Sequence, residues 1–449
     1  MQPHSLMKRR QFLQAMGAGI AASALAACAV PVEQGAGTSA GTTAGSDAGE
    51  GAATDAGSLE IFSWWTTGGE VEALNALYAV YSAEHPDVEI INAALAGGAG
   101  QGGNMKALLE TRMLGGEPPD SFQVHLGREL IDSHVIGDRM DPLDELYAEE
   151  GFGDVFPQDL IDIASYDGHP WSVPVNIHRS NILWYRPDKL EAVGFDAPPA
   201  TWDEYFDLAD RLAAEGMVAL GMGDVNQTQS GHNFESILLA VLGPEAYRGL
   251  FDGSVGWDDA RVTEALEILS RTYDNANPDR LSVVNGDVVS AFPTDEGAAM
   301  IISGDWAHGQ LKAIGYDGYH WAPVPGTEGM FMVLSDSFGL PQGAPNRENA
   351  LNFLRACGSK EGQDAFNPIK GSIPARTDAD QSLYDEYQLE AIADFGSNTL
   401  VPSIQHGAAT KQSFLLDYDF ATNDLAVNRD VAQAQAMLVT AAEDAAFGQ

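Results

Sequence analysis

Residues 59–70 read LEIFSWWTTGGE: a β-type apolar run, two adjacent tryptophans, and a glycine pair followed by a carboxylate. A helical pattern then begins at Val71. This order is typical of an open α/β sheet, in which ligands bind in the loop after the carboxyl end of a strand. Trp64, Trp65 and Glu70 are therefore candidate binding residues, since indole faces match the C–H faces of a pyranose ring and carboxylates accept hydrogen bonds from hydroxyls. The alternative is that both tryptophans belong to the core, where most tryptophan surface is buried.

Strand and helix patterns alternate along the rest of the chain, which indicates an α/β fold with largely parallel sheets. A length of 449 residues suggests two or three domains. We expect strands at residues 59–62, 88–92, 120–125 and 181–185, and a buried strand running into a loop within 297–306. We expect helices at residues 73–83, 105–114, 202–214, 237–242, 261–273, 350–357 and 431–447, with Thr201 as an N-cap and a loop at 367–374.

Two segments are predicted to be extended, and the first of them is expected to be neither a helix nor a central strand. Residues 166–176 contain a turn signal at Asp167-Gly168 and two prolines, which favours a crossover between domains. Residues 330–340 contain Asp336 and are the second segment that could cross back.

The charge balance excludes some classes of partner. The chain has 65 acidic against 23 basic residues, for a formal net charge of −42. Nucleic acid is excluded as a partner because phosphate binding needs a basic surface, and anionic substrates are disfavoured for the same reason. An acid-rich surface also fits a salty habitat, where high ionic strength screens self-repulsion.

The first 57 residues have the pattern of a leader and a tether. Residues 1–28 contain Lys8-Arg9-Arg10, typical of a twin-arginine export signal, then a short apolar stretch and Leu25-Ala26-Ala27-Cys28. That ending looks like a bacterial lipoprotein cleavage box, which predicts lipidation of Cys28 and anchoring at the outer face of the cell membrane, or in the periplasm. A plain secretory signal is the alternative. Residues 29–57 predict a flexible tether, and Cys357 is expected to be a buried, inert thiol.

Taken together, these features resemble the extracellular solute-binding proteins of ABC sugar importers, and within them the glucose-type monosaccharide binders. The likeness spans roughly residues 59–447. It is carried by the segments 63–70, 173–179, 181–185, 201–204, 304–306, 336–338, 370–374 and 405–407. The tryptophan pair with Gly-Gly-Glu and Gln405-His406-Gly407 are the segments more specific to the glucose-like branch.

The resemblance implies an α/β, two-lobed periplasmic-binding-protein fold (type II), with a hinge of about three crossovers and a ligand cleft between the lobes. Residues 58–172 and 338–378 would form the N-terminal lobe, and residues 176–334 and 382–449 the C-terminal lobe. The matching positions that line the cleft in such binders are Trp64, Trp65, Glu70, Gln123, His125, Trp306, Asp336, Lys370 and His406.

The chemistry of these positions, with Asn176 added, suits an uncharged polyol. Carboxylates only accept hydrogen bonds, a lysine only donates, and amides and imidazoles can do either. Each position also has a structural alternative. Glu70 could be a first-turn acid that favours the helix amino end, Trp306 could be core, Lys370 a solvated surface lysine, and His125 a structural histidine.

The resemblance implies a binding protein rather than an enzyme. The sequence shows no clustered spacing of metal ligands, and neither a metal nor a cofactor is expected. It would capture a monosaccharide such as glucose by hinge closure and deliver it, as a monomer, to the transmembrane subunits of an ABC permease. An oligosaccharide or another polyol is the alternative ligand, and a tethered carbohydrate-active enzyme is the alternative class. The sequence contains no His-Glu-x-x-His, Cys-x-x-Cys or P-loop motif.

One segment departs from the family pattern. Residues 223–229 contain no tryptophan where an aromatic-bearing loop of the second lobe is expected, which leaves the identity of the sugar open. A glycine-rich stretch at 97–103 lacks the lysine and spacing of a phosphate-binding loop.

Overall fold

The stretch that begins at Leu59 forms the second strand of a five-stranded sheet and the start of the helix that follows it. The computed structural model describes residues 57–95 and 103–447. The predicted leader with Cys28, the tether up to residue 56 and most of the glycine-rich stretch at 97–103 therefore lie outside the described residues. Within the described ranges, no helix is both long and apolar enough to span a membrane.

The described part of the chain contains fourteen short strands. They are β1 Ser58–Phe62, β2 Glu89–Asn92, β3 Ser121–His125, β4 Ser165–Tyr166, β5 His169–Pro170, β6 Ser172–Pro174, β7 His178–Arg179, β8 Ile182–Tyr185, β9 Leu220–Gly221, β10 Met300–Ile302, β11 His320–Pro323, β12 Met330–Leu334, β13 Asp336–Gly339 and β14 Thr399–Pro402.

Helices connect and cover these strands. The larger ones are Gly68–Glu84, Gly103–Gly115, Trp202–Ala214, Gln229–Asp252, Ala260–Thr272, Trp306–Ala313, Arg347–Gly358, Lys360–Lys370, Glu386–Ser397, Gln412–Asn428 and Val431–Ala445. Shorter helical segments are Arg128–Leu130, Ile131–Val135, Asp144–Glu149, Phe152–Val155, Gln158–Ala164, Pro187–Ala192, Tyr273–Asn275, Asn285–Ala291 and Gln381–Leu383.

Three sheets carry the fold. The five-stranded sheet has the order β2-β1-β3-β13-β6, with β1, β2 and β3 parallel and β13 antiparallel to both β3 and β6. A four-stranded sheet has the order β11-β8-β10-β9, and a three-stranded sheet has the order β14-β12-β7. The predicted turn at Asp167-Gly168 joins the small hairpin β4-β5, and both of its residues have positive φ, as a tight hairpin requires.

The two predicted extended segments pass between sheets. The chain leaves the five-stranded sheet after β6 and enters the three-stranded sheet at β7, and it returns between β12 and β13 through the single residue Ser335. The two crossings lie side by side, because Val175 N donates to Asp336 O at 2.9 Å. Pro174 of β6 is tolerated because this strand is at the edge of its sheet. The lobe boundaries at 58–172, 338–378, 176–334 and 382–449 stay a prediction.

Most predicted elements are confirmed, and three differ. The helix Trp202–Ala214 has the predicted cap, since Thr201 Oγ1 accepts from Glu204 N at 3.2 Å. The helical pattern at 237–242 is part of a longer helix, Gln229–Asp252, whose backbone breaks at Gly243 before Pro244. Trp306 begins a helix instead of lying in a loop.

The predicted loop at 367–374 is wrong for its first part, because the helix Lys360–Lys370 continues through Pro368 and ends at Gly371, whose φ is +90°. Asn367 Nδ2 donates to the carbonyls of Gln363 and Val175 within this last turn. Tertiary contacts therefore override the local loop signal of Pro368 and Gly371.

Candidate binding site

The registration of β13 against β3 places two predicted site residues opposite each other. Asp336 is the first residue of β13 and His125 the last residue of β3, and the two are register partners. Gln123 lies two residues before His125 on the same strand, and its side chain points to the same side of the sheet. The antiparallel pairing of two strands far apart in the sequence thus brings the Asp336 carboxylate, the Gln123 amide and the His125 imidazole together on one face of the sheet.

The Asp336 carboxylate is the polar centre of this place. It is 3% exposed and accepts hydrogen bonds from Gln123 Nε2 at 3.0 Å, Asn176 Nδ2 at 2.9 Å and His178 Nε2 at 3.1 Å. Burial raises the pKa of Asp336, but His178 and the nearby Lys370 lower it more, so the pKa lies far below its ordinary range. The carboxylate therefore stays ionised and retains acceptor capacity beyond its three protein donors.

His178 links two buried carboxylates and was not among the predicted site residues. Its Nδ1 pairs with Asp305, and its Nε2 faces Asp336. Burial lowers the pKa of His178, but the Asp305 carboxylate and the hydrogen bonds to both aspartates outweigh that effect and raise the net pKa. His178 belongs to the family-like segment 173–179, and that position was the only signal in the sequence.

Six aromatic rings from separate elements form what we call the ring cluster. Its members are Trp64, His125, His178, His232, Trp306 and His406. Ring centroids are 5.1 Å apart for Trp64 and His125, 5.3 Å for His125 and His406, and 5.2 Å for His406 and Trp306. Trp306 lies 5.6 Å from both His178 and His232. The ring cluster thus joins the ends of all three sheets to the helix Gln229–Asp252.

The ring cluster combines half-buried indoles with buried imidazoles. Trp64 and Trp306 are partly exposed, whereas His406 is 4% exposed. Burial and the neighbouring imidazoles His125, His232 and His178 hold the pKa of His406 well below its ordinary value, so this ring is neutral at pH 7. A neutral imidazole offers one donor and one acceptor, the combination that a hydroxyl can satisfy.

Lys370 and Glu70 form an ion pair beside this centre. Lys370 Nζ donates to Glu70 Oε1 at 2.8 Å, and its side chain is only 2% exposed, so the solvated surface alternative does not describe it. Lys370 Nζ also lies 5.5 Å from the centroid of the Trp65 ring. Three glycines at 69, 309 and 371 let the helices that carry these residues approach closely.

Trp65 lies apart from the ring cluster. It is 1% exposed and packs against Phe338 and Phe366, with centroids 5.9 and 5.1 Å away. The core alternative given for the tryptophan pair therefore describes Trp65, while Trp64 lies in the ring cluster. Both tryptophans lie in the loop after β1, which ends at Phe62, and this loop turns the two neighbouring indoles into different surroundings.

Trp64 is held by a charged network under its ring. Lys106 Nζ lies 5.0 Å from the ring centroid and donates to Glu129 Oε2 at 2.8 Å. Glu129 Oε2 is also 2.7 Å from His125 Nδ1. Burial raises the pKa of Glu129, but the Lys106 ammonium and His125 outweigh it and lower the pKa to about 2.

This network predicts an acid-sensitive contribution to stability. The folded pKa of Glu129 is below its ordinary value of 4.5, so its contribution is fully present above about pH 4.5 and is lost as the pH falls toward 2. Replacing Lys106 by methionine is expected to remove much of the contribution of ionised Glu129 to the free energy of unfolding, up to about 3 kcal/mol at pH 7. Urea unfolding from pH 3 to 7 measures the effect. Lys360→Met, which removes an ion pair with Asp364 on a helix surface, is the control and should leave the pH profile unchanged.

The segment 223–229, which lacks a tryptophan, caps the helix that follows it. The buried Asp224 carboxylate accepts from Gln229 N at 2.9 Å and Ser230 N at 3.2 Å, which caps the helix Gln229–Asp252. His232 and Glu235 follow in the first two turns of this helix. Sequence reasoning missed both, because nothing in the local pattern shows which face of this buried helix meets the ring cluster.

Glu235 organises the loop that carries His406. It is fully buried, and its carboxylate accepts from Ser180 Oγ at 2.8 Å, Ile404 N at 2.7 Å and Gln405 N at 3.0 Å. Burial raises its pKa to about 7 against these donors. His232, Glu235 and His406 each place one ligand atom within 4.8 Å of the others, the spacing of a metal site. Both oxygens of the Glu235 carboxylate already accept hydrogen bonds from the protein, and these bonds hold the loop that carries His406 in place.

Comparisons with known proteins show the family to which the chain is similar. The sequence matches the family model described as bacterial extracellular solute-binding protein over residues 65–364. An uncharacterized ABC transporter extracellular-binding protein of Pyrococcus horikoshii is 33% identical over 387 residues, which are 85% of this chain and 87% of that protein. The xylose/arabinose-binding protein of Haloferax volcanii is 29% identical over 360 residues, covering 78% and 77% of the two chains.

A solved structure is similar in fold. A chitin oligosaccharide binding protein superimposes with a TM-score of 0.74 at 17% identity, covering 86% of this chain and 98% of that one. This match confirms the predicted α/β, two-lobed fold.

Proposed function

The chain belongs to the bacterial extracellular solute-binding protein family, and from this membership we propose that it captures a sugar outside the cytoplasm and delivers it to the membrane subunits of an ABC importer. The observation that carries the proposal is the ring cluster around Asp336. Half-buried indoles provide apolar faces for a sugar ring, while the carboxylate and neutral imidazoles provide partners for its hydroxyls.

The finer proposal is a monosaccharide, with glucose or a similar hexose as the first candidate. It is supported by the residues that resemble the glucose-type branch, of which Trp64, Gln123, His125, Asp336 and His406 are close together. Their buried polar groups would select against a ligand that lacks a matching hydroxyl, because a buried group left unpaired is costly.

A pentose is the second candidate. The similar protein from Haloferax volcanii is a xylose/arabinose-binding protein, and it covers most of this chain. The absence of tryptophan at 223–229 is consistent with a smaller apolar wall on that side. Hexoses and pentoses differ by one hydroxymethyl group, so a binding assay separates the two candidates directly.

Closure of two lobes around the sugar is the proposed mechanism. The adjacent crossings β6 to β7 and β12 to β13 are suited to act as hinge strands, since each passes directly from one sheet to another. A sugar that contacts Trp64 and His125 on one side and Trp306 and His406 on the other favours the closed form by its differential affinity. Anchoring through Cys28 and a monomeric state complete the proposal.

A panel of sugars tests the function. Isothermal titration calorimetry with hexoses, pentoses and short oligosaccharides is expected to give saturable binding of a monosaccharide without turnover of labelled ligand. Trp64→Ala and Trp306→Ala should each weaken binding by about 1–3 kcal/mol through lost ring contact. Trp171→Ala is the matched control, because Trp171 bonds to Tyr166 O outside the ring cluster and should leave affinity unchanged. Unchanged affinity in both cluster variants would show that the indoles do not contact the ligand.

A further inference from the structure

His232 has an unsatisfied nitrogen within the ring cluster. The residue is 3% exposed, and its ring lies 5.6 Å from both Trp306 and His406. Its Nδ1 is 3.5 Å from Ser180 Oγ, but its Nε2 is buried and has no hydrogen-bond partner within residues 57–95 and 103–447. A buried polar atom without a partner is costly, so this nitrogen is a place where a ligand group can gain binding energy.

The hydrogen-bond network around Ser180 determines which kind of group fits. At a pH above the Glu235 pKa of about 7 this carboxylate is ionised, and Ser180 Oγ donates its single proton to Glu235 Oε1 at 2.8 Å. Toward His232 the hydroxyl oxygen can then only accept, which requires the proton of the imidazole to be on Nδ1. Burial lowers the pKa of His232 to about 4, so the ring is neutral and has no second proton. Nε2 is therefore a bare acceptor, and its missing partner is a hydrogen-bond donor.

Glu235 holds this arrangement in place. Its second oxygen accepts from the backbone N–H groups of Ile404 and Gln405, which fixes the carboxylate and leaves the first oxygen facing Ser180. The same loop carries His406, so the acceptor on His232 and the ring of His406 are positioned by one buried carboxylate. The hydrogen bonds from Ser180 to Glu235 and from His232 to Ser180 thus fix the tautomer of the His232 ring.

We propose that His232 Nε2 accepts a hydrogen bond from one hydroxyl of the bound sugar and is a specificity-determining residue of the site. The inference rests on the proposed sugar-binding function and adds a contact that neither the sequence pattern nor the comparisons assign. Because the site presents an acceptor here, it selects a hydroxyl at that ring position and rejects the deoxy sugar.

A double-mutant-type cycle between protein and ligand tests this assignment. Calorimetry compares the sugar that binds the wild type with its monodeoxy analogues, on wild type and on His232→Phe, which keeps a ring against Trp306 but removes both nitrogens. His232→Phe is expected to weaken binding of the parent sugar by about tenfold or more. The wild type should bind one monodeoxy analogue more weakly than the parent sugar by a similar factor. The His232→Phe variant should bind that analogue and the parent sugar with nearly the same affinity.

A matched control separates contact from general destabilisation. His134 is also buried, packs against Phe122 and has an Nδ1 without a hydrogen-bond partner among the described residues, but it lies outside the ring cluster. His134→Phe should leave affinity unchanged. The contrary result is that the wild type binds the parent sugar, but His232→Phe weakens binding of every monodeoxy analogue by the same factor as binding of the parent sugar. That result would show that His232 contacts no hydroxyl and would overturn the proposal. If the wild type binds no sugar, the proposed function fails and this inference fails with it.

A second measurement does not depend on folding of the variant. Nitrogen-15 spectra of histidine-labelled wild type report which ring nitrogen carries the proton. We expect the Nδ1–H form of His232, with the Nε2 resonance shifted when sugar is added. An Nε2–H form, or an Nε2 resonance that sugar does not move, would contradict the inference while leaving sugar capture itself intact.

Discussion

Replacing Asp336 by asparagine is expected to lower the free energy of unfolding by about 3–5 kcal/mol and to weaken sugar binding by about 100-fold. The carboxylate is buried and accepts from Gln123, Asn176 and His178. An asparagine keeps the shape but turns one oxygen into a donor, so an amide N–H group would face another donor. The substitution also leaves His178 with one carboxylate partner instead of two.

Chemical denaturation and calorimetry on the same samples measure both effects. Asp385→Asn is the matched control, since Asp385 also pairs with a histidine and a lysine, His308 and Lys312, but lies outside the ring cluster. It should reduce stability without changing sugar affinity. If Asp336→Asn unfolds more easily but binds sugar as tightly as the wild type, Asp336 does not contact the ligand and its role is structural.

The second large effect is expected from Gly309→Ala. A Cβ at Gly309 would lie 2.2 Å from Lys370 O and 2.7 Å from Lys370 C, which are backbone atoms that cannot rotate away. The helix Trp306–Ala313 must then move away from the end of the helix Lys360–Lys370. We expect a loss of about 3 kcal/mol in the free energy of unfolding, at the upper end for overpacking.

The same displacement should weaken sugar binding, because it separates Trp306 from Lys370. Gly396→Ala is the matched control. Gly396 lies in the helix Glu386–Ser397, and apart from the nearby backbone of that helix and its two chain neighbours, no atom of the described residues comes within 4 Å of the place that an alanine methyl group would take. Alanine there should be neutral or stabilise by up to about 1 kcal/mol. Equal stability of the two variants in urea unfolding would contradict the close packing at Gly309.

The local pattern was sufficient for the elements whose signal lies within a few residues. Alternating apolar and helical periods predicted the α/β class, and Thr201 before Trp202 predicted a capped helix. The positive-φ turn at Asp167-Gly168 and the extended segment around Asp336 were predicted for the same reason. The loop at 367–374 failed because Pro368 and Gly371 are loop signals locally, whereas contacts with Val175 and the neighbouring helices keep residues 367–370 helical.

The candidate site was predicted in part, and through resemblance rather than spacing. Trp64, Gln123, His125, Asn176, Trp306, Asp336 and His406 are close together in the structure, and Glu70 and Lys370 form an adjacent ion pair. Trp65 is in the core, and His178, His232, Glu235 and Asp305 were missed. These residues look like ordinary polar positions in their own segments, and only their neighbours in space give them a role.

The order of the residues is enough to predict the alternation of strands and helices, the acid-rich composition and the residue types available for a polyol. Which of those residues meet depends on how distant segments pair in the folded chain. Gln123 and Asp336 are 213 residues apart and are joined only because β13 pairs with β3 in one register. A one-residue shift in that register would turn Asp336 to the other face of the sheet, and no local pattern fixes such a long-range pairing.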